Sequence, residues 1–186
     1  MAAVFGWAGS ALAASVSLCV PASGAVTGGA CTGSGTTVAL PSSATDQQTL
    51  ISLLPYLSYT ASGIGGKPTI KITGANMQIV NGSGSTTTLN GTGNLVLGYD
   101  ETPGAQTGSH DLVLGEKNSY TGYSELLDGL SNTVSGGYGV AFGYDNTAVG
   151  LYSTVTGGAA NRASGTGASV TGGEYGIASG SEASVA

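Results

Sequence analysis

The chain has 186 residues, with 34 glycines, 10 acids against 4 bases and a net charge of −6. Glycine at more than twice its usual share of about 7% calls for a backbone rich in turns and close approaches, and 40% hydrophobic content with 8% charge is not the mixture that keeps a chain disordered. Lys67, Lys71, Lys117 and Arg162 supply no basic stripe for nucleic acid, Cys19, Cys31 and His110 lack the paired short spacings of a zinc site, and glycine does not recur at every third place as collagen requires.

Residues 1–13 (MAAVFGWAGSALA) form an apolar run ending in the small-x-small pattern Ala11-Leu12-Ala13. The run is too short to span a bilayer and lacks an opening Lys or Arg, so it reads as the remnant of an export signal, or else as a buried apolar strand. Cys19 and Cys31 follow, twelve residues apart around Pro21, Gly24, Gly28 and Gly29. Export agrees with a disulfide between them, worth about 3 kcal/mol on the chain-entropy account; a reducing compartment would leave two buried thiols instead. The first reading places the protein outside the cell or on its surface.

Residues 14–89 hold four of the five prolines and no repeat, and read as a small β-rich cap domain with one short helix. The helix is expected over 43–54 (SSATDQQTLISL), capped by Ser43 or Thr45, stopped by Pro55, and sticky along Leu50, Ile51, Leu53 and Leu54. Alternating runs at 68–73 (PTIKIT) and 77–80 (MQIV) have the period of strands, and the Gly/Ser/Asn cluster at 81–85 marks a turn.

From residue 90 onward the chain repeats. A short motif occurs six times, as NLVLG (94–98), DLVLG (111–115), ELLDG (125–129), GVAFG (139–143), STVTG (153–157) and ASVTG (168–172). Its glycines are 17, 14, 14, 14 and 15 residues apart, and a second ladder runs through Gly108, Gly122, Gly136, Gly150, Gly165 and Gly180. A coil of 14 or 15 residues holds two strands of about five residues and two tight turns, too little for three sides. The architecture is therefore a flattened two-sheet parallel β-roll, about 29 Å long for six coils stacked ~4.8 Å apart. Glycine serves both turns, and Asn132, Asn146 and Asn161 recur at the second, where they tolerate left-handed geometry and can hydrogen-bond up the stack. SEASVA (181–186) superposes on TGASVT (166–171), which predicts a seventh coil and further coils in a longer parent.

Strand faces carry the expectation about assembly. Val96, Val113, Leu127, Ala141, Val155 and Val170 occupy the middle of the first strand and fill the roll interior. Their neighbours Leu95, Leu97, Leu112, Leu114, Leu126, Val140 and Phe142 point the other way, and seven of the eight flanking places in the first four coils are apolar. A strand apolar on both faces is normally covered on both, so the outer stripe is expected to meet sister chains, or else the folded-back N-terminal part. The second strand has small or polar centres, Val134, Ala148, Ala163 and Ala178, as expected of a sheet facing water.

These units, xLVLG or xSVTG followed by xNTxSG at a 14-residue period, resemble the head repeats of trimeric autotransporter adhesins of the YadA-like type over residues 90–186. That resemblance implies a left-handed roll, a homotrimer joined through the outer stripe, and a surface-exposed head that binds host, matrix or glycan ligands. The sequence departs from the family in carrying Val or Leu at the centre of the first strand. Tyr99, Tyr138, Tyr144 and Tyr152, near turn glycines, are candidate surface ligand contacts.

Other classes fit less well. His110 has no second acid or nucleophile arranged about it, and Asp100, Glu101 and Asp145 lack the nonapeptide of calcium-binding rolls, so no catalytic residue, metal or cofactor is expected. Thr154, Thr156, Ser169 and Thr171 make a T-x-T-like pair, the mark of an ice-binding solenoid, but on two coils only. A filament growing through the roll's ends is the nearer alternative, since it uses the same coils.

Overall fold

Glycine ladders at a fixed period leave the backbone two straight segments per coil, and the chain folds accordingly. A computed structural model describes residues 17–21, 27–28, 35–39, 44–99, 101 and 105–186. The leader at 1–13 and Cys31 lie outside the described residues, and with them the Cys19–Cys31 link. Two units divide the chain, 1–76 and 77–186, the second taking in the residues ahead of the first repeated strand.

In the first unit β1 (Ser17–Pro21) lies between β2 (Thr27–Gly28) and β3 (Gly35–Ala39), antiparallel to both. Helix α1 (Ala44–Leu53) runs into a 3₁₀ turn at Leu54–Tyr56, where Pro55 removes the amide the α-helix would need. Next come β4 (Leu57–Thr60) and β5 (Thr69–Ile72), an antiparallel pair in register from Leu57 opposite Ile72 to Thr60 opposite Thr69. The run at 68–73 thus becomes a strand because 57–60 pairs with it. The run at 77–80 does not: no strand among the described residues takes up its backbone, and Met77 and Val80 stay exposed.

The second unit is a parallel β-solenoid of about six turns, and the protein is mainly β. Its wider sheet is made of β6 (Leu95–Leu97), β7 (Leu112–Glu116), β9 (Leu126–Leu130), β11 (Val140–Tyr144), β13 (Thr154–Val155), β15 (Ser169–Val170) and β17 (Ser184–Val185). The narrower sheet is made of β8 (Ser119–Tyr120), β10 (Thr133–Val134), β12 (Thr147–Ala148), β14 (Arg162–Ala163) and β16 (Ile177–Ala178). Every neighbour in both sheets pairs in parallel, with like positions of successive coils opposite one another.

Two columns of side chains face each other inside the roll. Val113, Leu127, Ala141, Val155 and Val170 come from the wider sheet, with Val96 partly buried at one end. Tyr120, Val134, Ala148, Ala163 and Ala178 come from the narrower sheet, and all are buried. The centres of the second strand therefore point inward rather than to water. Beyond Tyr120 in the first of these strands they are small, because a thin roll leaves little depth opposite a Val or Leu.

The glycine ladders arise from coil-to-coil contact. A Cβ on Gly136, Gly150 or Gly165 would strike the carbonyl oxygen of the equivalent glycine one coil on, so any larger residue would push the strands apart. At the other turn the same holds for Gly115, Gly129 and Gly143, but in the 15-residue coils the ladder moves to Gly158 and Gly173, and Gly157 and Gly172 face open space. The extra residue of those coils is taken up there.

Candidate functional site

The outward face of the wider sheet is divided into two halves. In its first half Leu95, Leu97 and Leu112 are 39%, 55% and 36% exposed, while Leu114, Leu126, Val140 and Phe142 are half-buried. Asp128 interrupts the row, opposite Leu114 on one side and Phe142 on the other. The second half is Thr154, Thr156, Ser169 and Thr171, where the Thr156 hydroxyl donates to the Thr171 carbonyl oxygen at 2.8 Å and the Thr171 hydroxyl to that of Val185 at 3.4 Å. These hydroxyls are tied to the strands beneath them.

Beneath one turn runs a ladder of buried asparagines, Asn118, Asn132, Asn146 and Asn161. The amide of Asn132 donates to Asn118 Oδ1 at 3.0 Å, that of Asn146 to Asn132 Oδ1 at 3.0 Å, that of Asn161 to Asn146 Oδ1 at 2.9 Å, and that of Gly176 to Asn161 Oδ1 at 2.8 Å. Each Nδ2 also donates to turn carbonyls, as Asn132 does to Asp128 at 3.1 Å and Gly143 at 2.9 Å. The left-handed residue is not the asparagine but the one before it: Lys117, Ser131, Asp145 and Ala160 have φ of 57°, 60°, 53° and 53°. The asparagine turns inward because the turn leaves carbonyls that only an interior donor can satisfy.

At the opposite corner, the first position of each coil, stand Asn94, Asp111, Glu125, Gly139, Ser153, Ala168 and Ala183. Asn94 Oδ1 accepts the Asp111 amide at 2.9 Å, and Asp111 Oδ1 accepts the Glu125 amide at 2.9 Å. Both acids are 2% exposed, packed on Gly108 and Gly122, and Asp111 Oδ2 and both Glu125 oxygens have no hydrogen-bond partner. Burial raises the Asp111 carboxyl to about 7, against a smaller pull from the Glu125 amide. Burial and then the charge of Asp111 raise Glu125 to about 7. The amides of Gly122, Gly137 and Thr121 oppose this weakly; they point at the carboxylate without closing a hydrogen bond of good geometry. Both carboxyls thus keep their protons to a higher pH than an ordinary acid does, and ionising one opposes ionising the other. The sequence left Asp111 and Glu125 unpaired; their signal was that the other coils carry uncharged Asn, Gly, Ser or Ala at the same place.

His110 closes the first coil. Its Nε2 accepts the Asn81 amide at 3.1 Å and its Nδ1, which must then carry the proton, faces the Thr86 carbonyl oxygen at 3.0 Å. The Ser109 hydroxyl accepts the amides of Asn90 and Gly91 at 3.0 and 3.2 Å. Residues 77–94 are thereby fastened over the end of the roll, around a polar pocket of about 260 Å³ lined by Gln78, Val80, Asn81, Thr86 and His110.

The tyrosines separate into two groups. Tyr120 is buried in the interior, whereas Tyr99, Tyr138, Tyr144 and Tyr152 are exposed. Tyr138 and Tyr152 stack with ring centroids 5.4 Å apart and planes 12° from parallel, and Tyr123 meets Tyr138 edge-on at 5.0 Å. Glu101 and Asp145 are exposed, while Asp100 lies outside the described residues. Among the described residues, no three of His, Cys, Asp or Glu come together as a metal cluster would require, and no helix is long and apolar enough to cross a membrane. Comparison with protein-family models, with characterised proteins and with solved structures finds no match for this chain.

Proposed function

We propose that the chain is a non-enzymatic structural or adhesive module, secreted or held at the cell surface, whose β-roll assembles as a homotrimer and needs no cofactor. The observation that carries this reading is the apolar half of the wider sheet: Leu95, Leu97 and Leu112 stand more than a third exposed beside the half-buried Leu114, Leu126, Val140 and Phe142, on strands locked by parallel ladders. An apolar face held by regular ladders gains in water by meeting its own copy, and like coils on each chain offer like side chains at the same spacing. The polar half and the exposed tyrosines remain for host, matrix or glycan partners. Light scattering on the purified protein tests the assembly: a mass of three chains supports it, and a stable monomer at micromolar concentration overturns it.

A further inference from the structure

One corner of the roll presents a column of left-handed residues that starts at Gly93 and His110 and continues through Ser124, Tyr138, Tyr152, Gly167 and Glu182, the last five with φ of 55°, 55°, 60°, 66° and 56°. Their amides are held alike, that of Tyr138 by the Tyr123 carbonyl, Tyr152 by Gly137, Gly167 by Leu151 and Glu182 by Thr166, at 2.8 to 3.2 Å. Identical backbone therefore presents successive side chains one coil apart. Tyr138 and Tyr152 use that spacing to stack, and Tyr123, whose ring lies against Gly137, meets Tyr138 at a right angle. The ladder then misses a rung. Gly167 has no side chain, and Glu182 follows with its Cγ 3.6 Å from where a Gly167 Cβ would stand.

We propose that this missing rung is a binding slot for a planar cation, the guanidinium of an arginine on a partner protein. Tyr152 is 55% exposed, and its free face looks across the bare glycine step. The backbones of Tyr152 and Glu182 lie two coil steps, about 10 Å, apart, and the Glu182 side chain leans to within contact of the Gly167 place, so that one flat group laid on Tyr152 would touch both. A guanidinium stacks flat on an aromatic ring while its edge N–H groups reach a carboxylate, which an ammonium does less well and a neutral ring not at all. The chain's net charge of −6 draws such a group toward it.

The slot gives the adhesive part of the proposed function a partner chemistry and rests on that part, though not on the trimer. The test titrates the full chain with a blocked Gly-Arg-Gly peptide and its lysine and citrulline counterparts. Tyrosine ring-proton shifts are followed, with Tyr152 assigned through Tyr152→Phe. Saturable movement of the Tyr152 signal is expected with arginine, about fivefold weaker with lysine and weaker still with citrulline. Glu182→Gln should weaken arginine binding by about fivefold. Gly167→Tyr should abolish it by supplying the rung, in a backbone conformation that Tyr138 and Tyr152 already adopt. Equal response to arginine and citrulline, undiminished binding by Gly167→Tyr, or movement with a cello-oligosaccharide but not with arginine overturns the proposal. Mass measured on the same samples keeps the two readings apart: a monomer that binds arginine overturns the trimer alone, and a trimer that does not bind overturns the slot alone.

Discussion

Replacing Asp111 and Glu125 together by Asn and Gln probes the two buried carboxyls directly. In the folded chain both stand near 7, whereas the ordinary values are 3.8 and 4.5. The folded state therefore holds protons that the unfolded chain has already released between about pH 4 and pH 7, and stability falls as pH rises through that window. A tenfold change in proton affinity is worth ~1.4 kcal/mol, which makes ~4 kcal/mol for Asp111 and ~3 for Glu125 as upper bounds. Halving for the water that relaxes around charges near the end of the roll leaves about 3 to 4 kcal/mol for the pair. Asn is a fitting replacement at 111, since Asn94 fills the same place one coil earlier and accepts the next amide at 2.9 Å. Urea unfolding followed by far-ultraviolet circular dichroism at pH 5 and pH 8 is the assay. The natural chain should lose about 2 to 3 kcal/mol between the two, the part of the window above pH 5, and the double variant should lose far less and exceed it at pH 8. Equal slopes in the two proteins would refute the reasoning, because the titrating groups would then lie elsewhere.

Three further outcomes follow from the same packing. Asn146→Ala strips partners from the Asn161 amide and from the Phe142 and Gly158 carbonyls, and should cost about 3 kcal/mol in urea unfolding. Gly150→Ala drives a methyl into the Gly165 carbonyl and should cost about 3 kcal/mol or more, while Gly157→Ala, which faces open space, should cost less than about 1 kcal/mol; thermal melts of both separate a steric ladder from a merely flexible one. Leu112→Glu with Leu126→Glu places charges on the outer stripe without touching the interior, so circular dichroism should hold while the mass by light scattering falls to one chain; a variant that stays trimeric removes the stripe from the interface.

Much of the roll could be read before any coordinates. The two glycine ladders set the coil length, and the coil length allows only two strands, which is what the parallel sheets from Leu95 to Val185 contain. The interior column Val113, Leu127, Ala141, Val155 and Val170 was legible because period-two alternation survives even in strands of two residues. The bonding of the asparagines up the stack was legible too, while two features escaped for a common reason. The inward facing of Val134 and Ala148 and the step of one ladder to Gly158 and Gly173 both depend on which way a turn aims the chain. A turn's aim is set by the carbonyls of the neighbouring coil, which are far away in sequence.

Period and composition, then, were enough to establish a stacked two-sheet roll with a bare backbone at its corners, because a repeating chain has only a few ways to close a 14-residue coil. Three-dimensional packing alone decided that Asp111 and Glu125 sit dry one above the other, that His110 latches residues 77–94 over the first coil, and that Gly167 leaves a gap in the tyrosine stack. Each of these depends on what lies one coil above or below. Dehydration of a carboxyl, the tautomer of an imidazole and the free face of a ring are properties of that neighbour as much as of the residue itself.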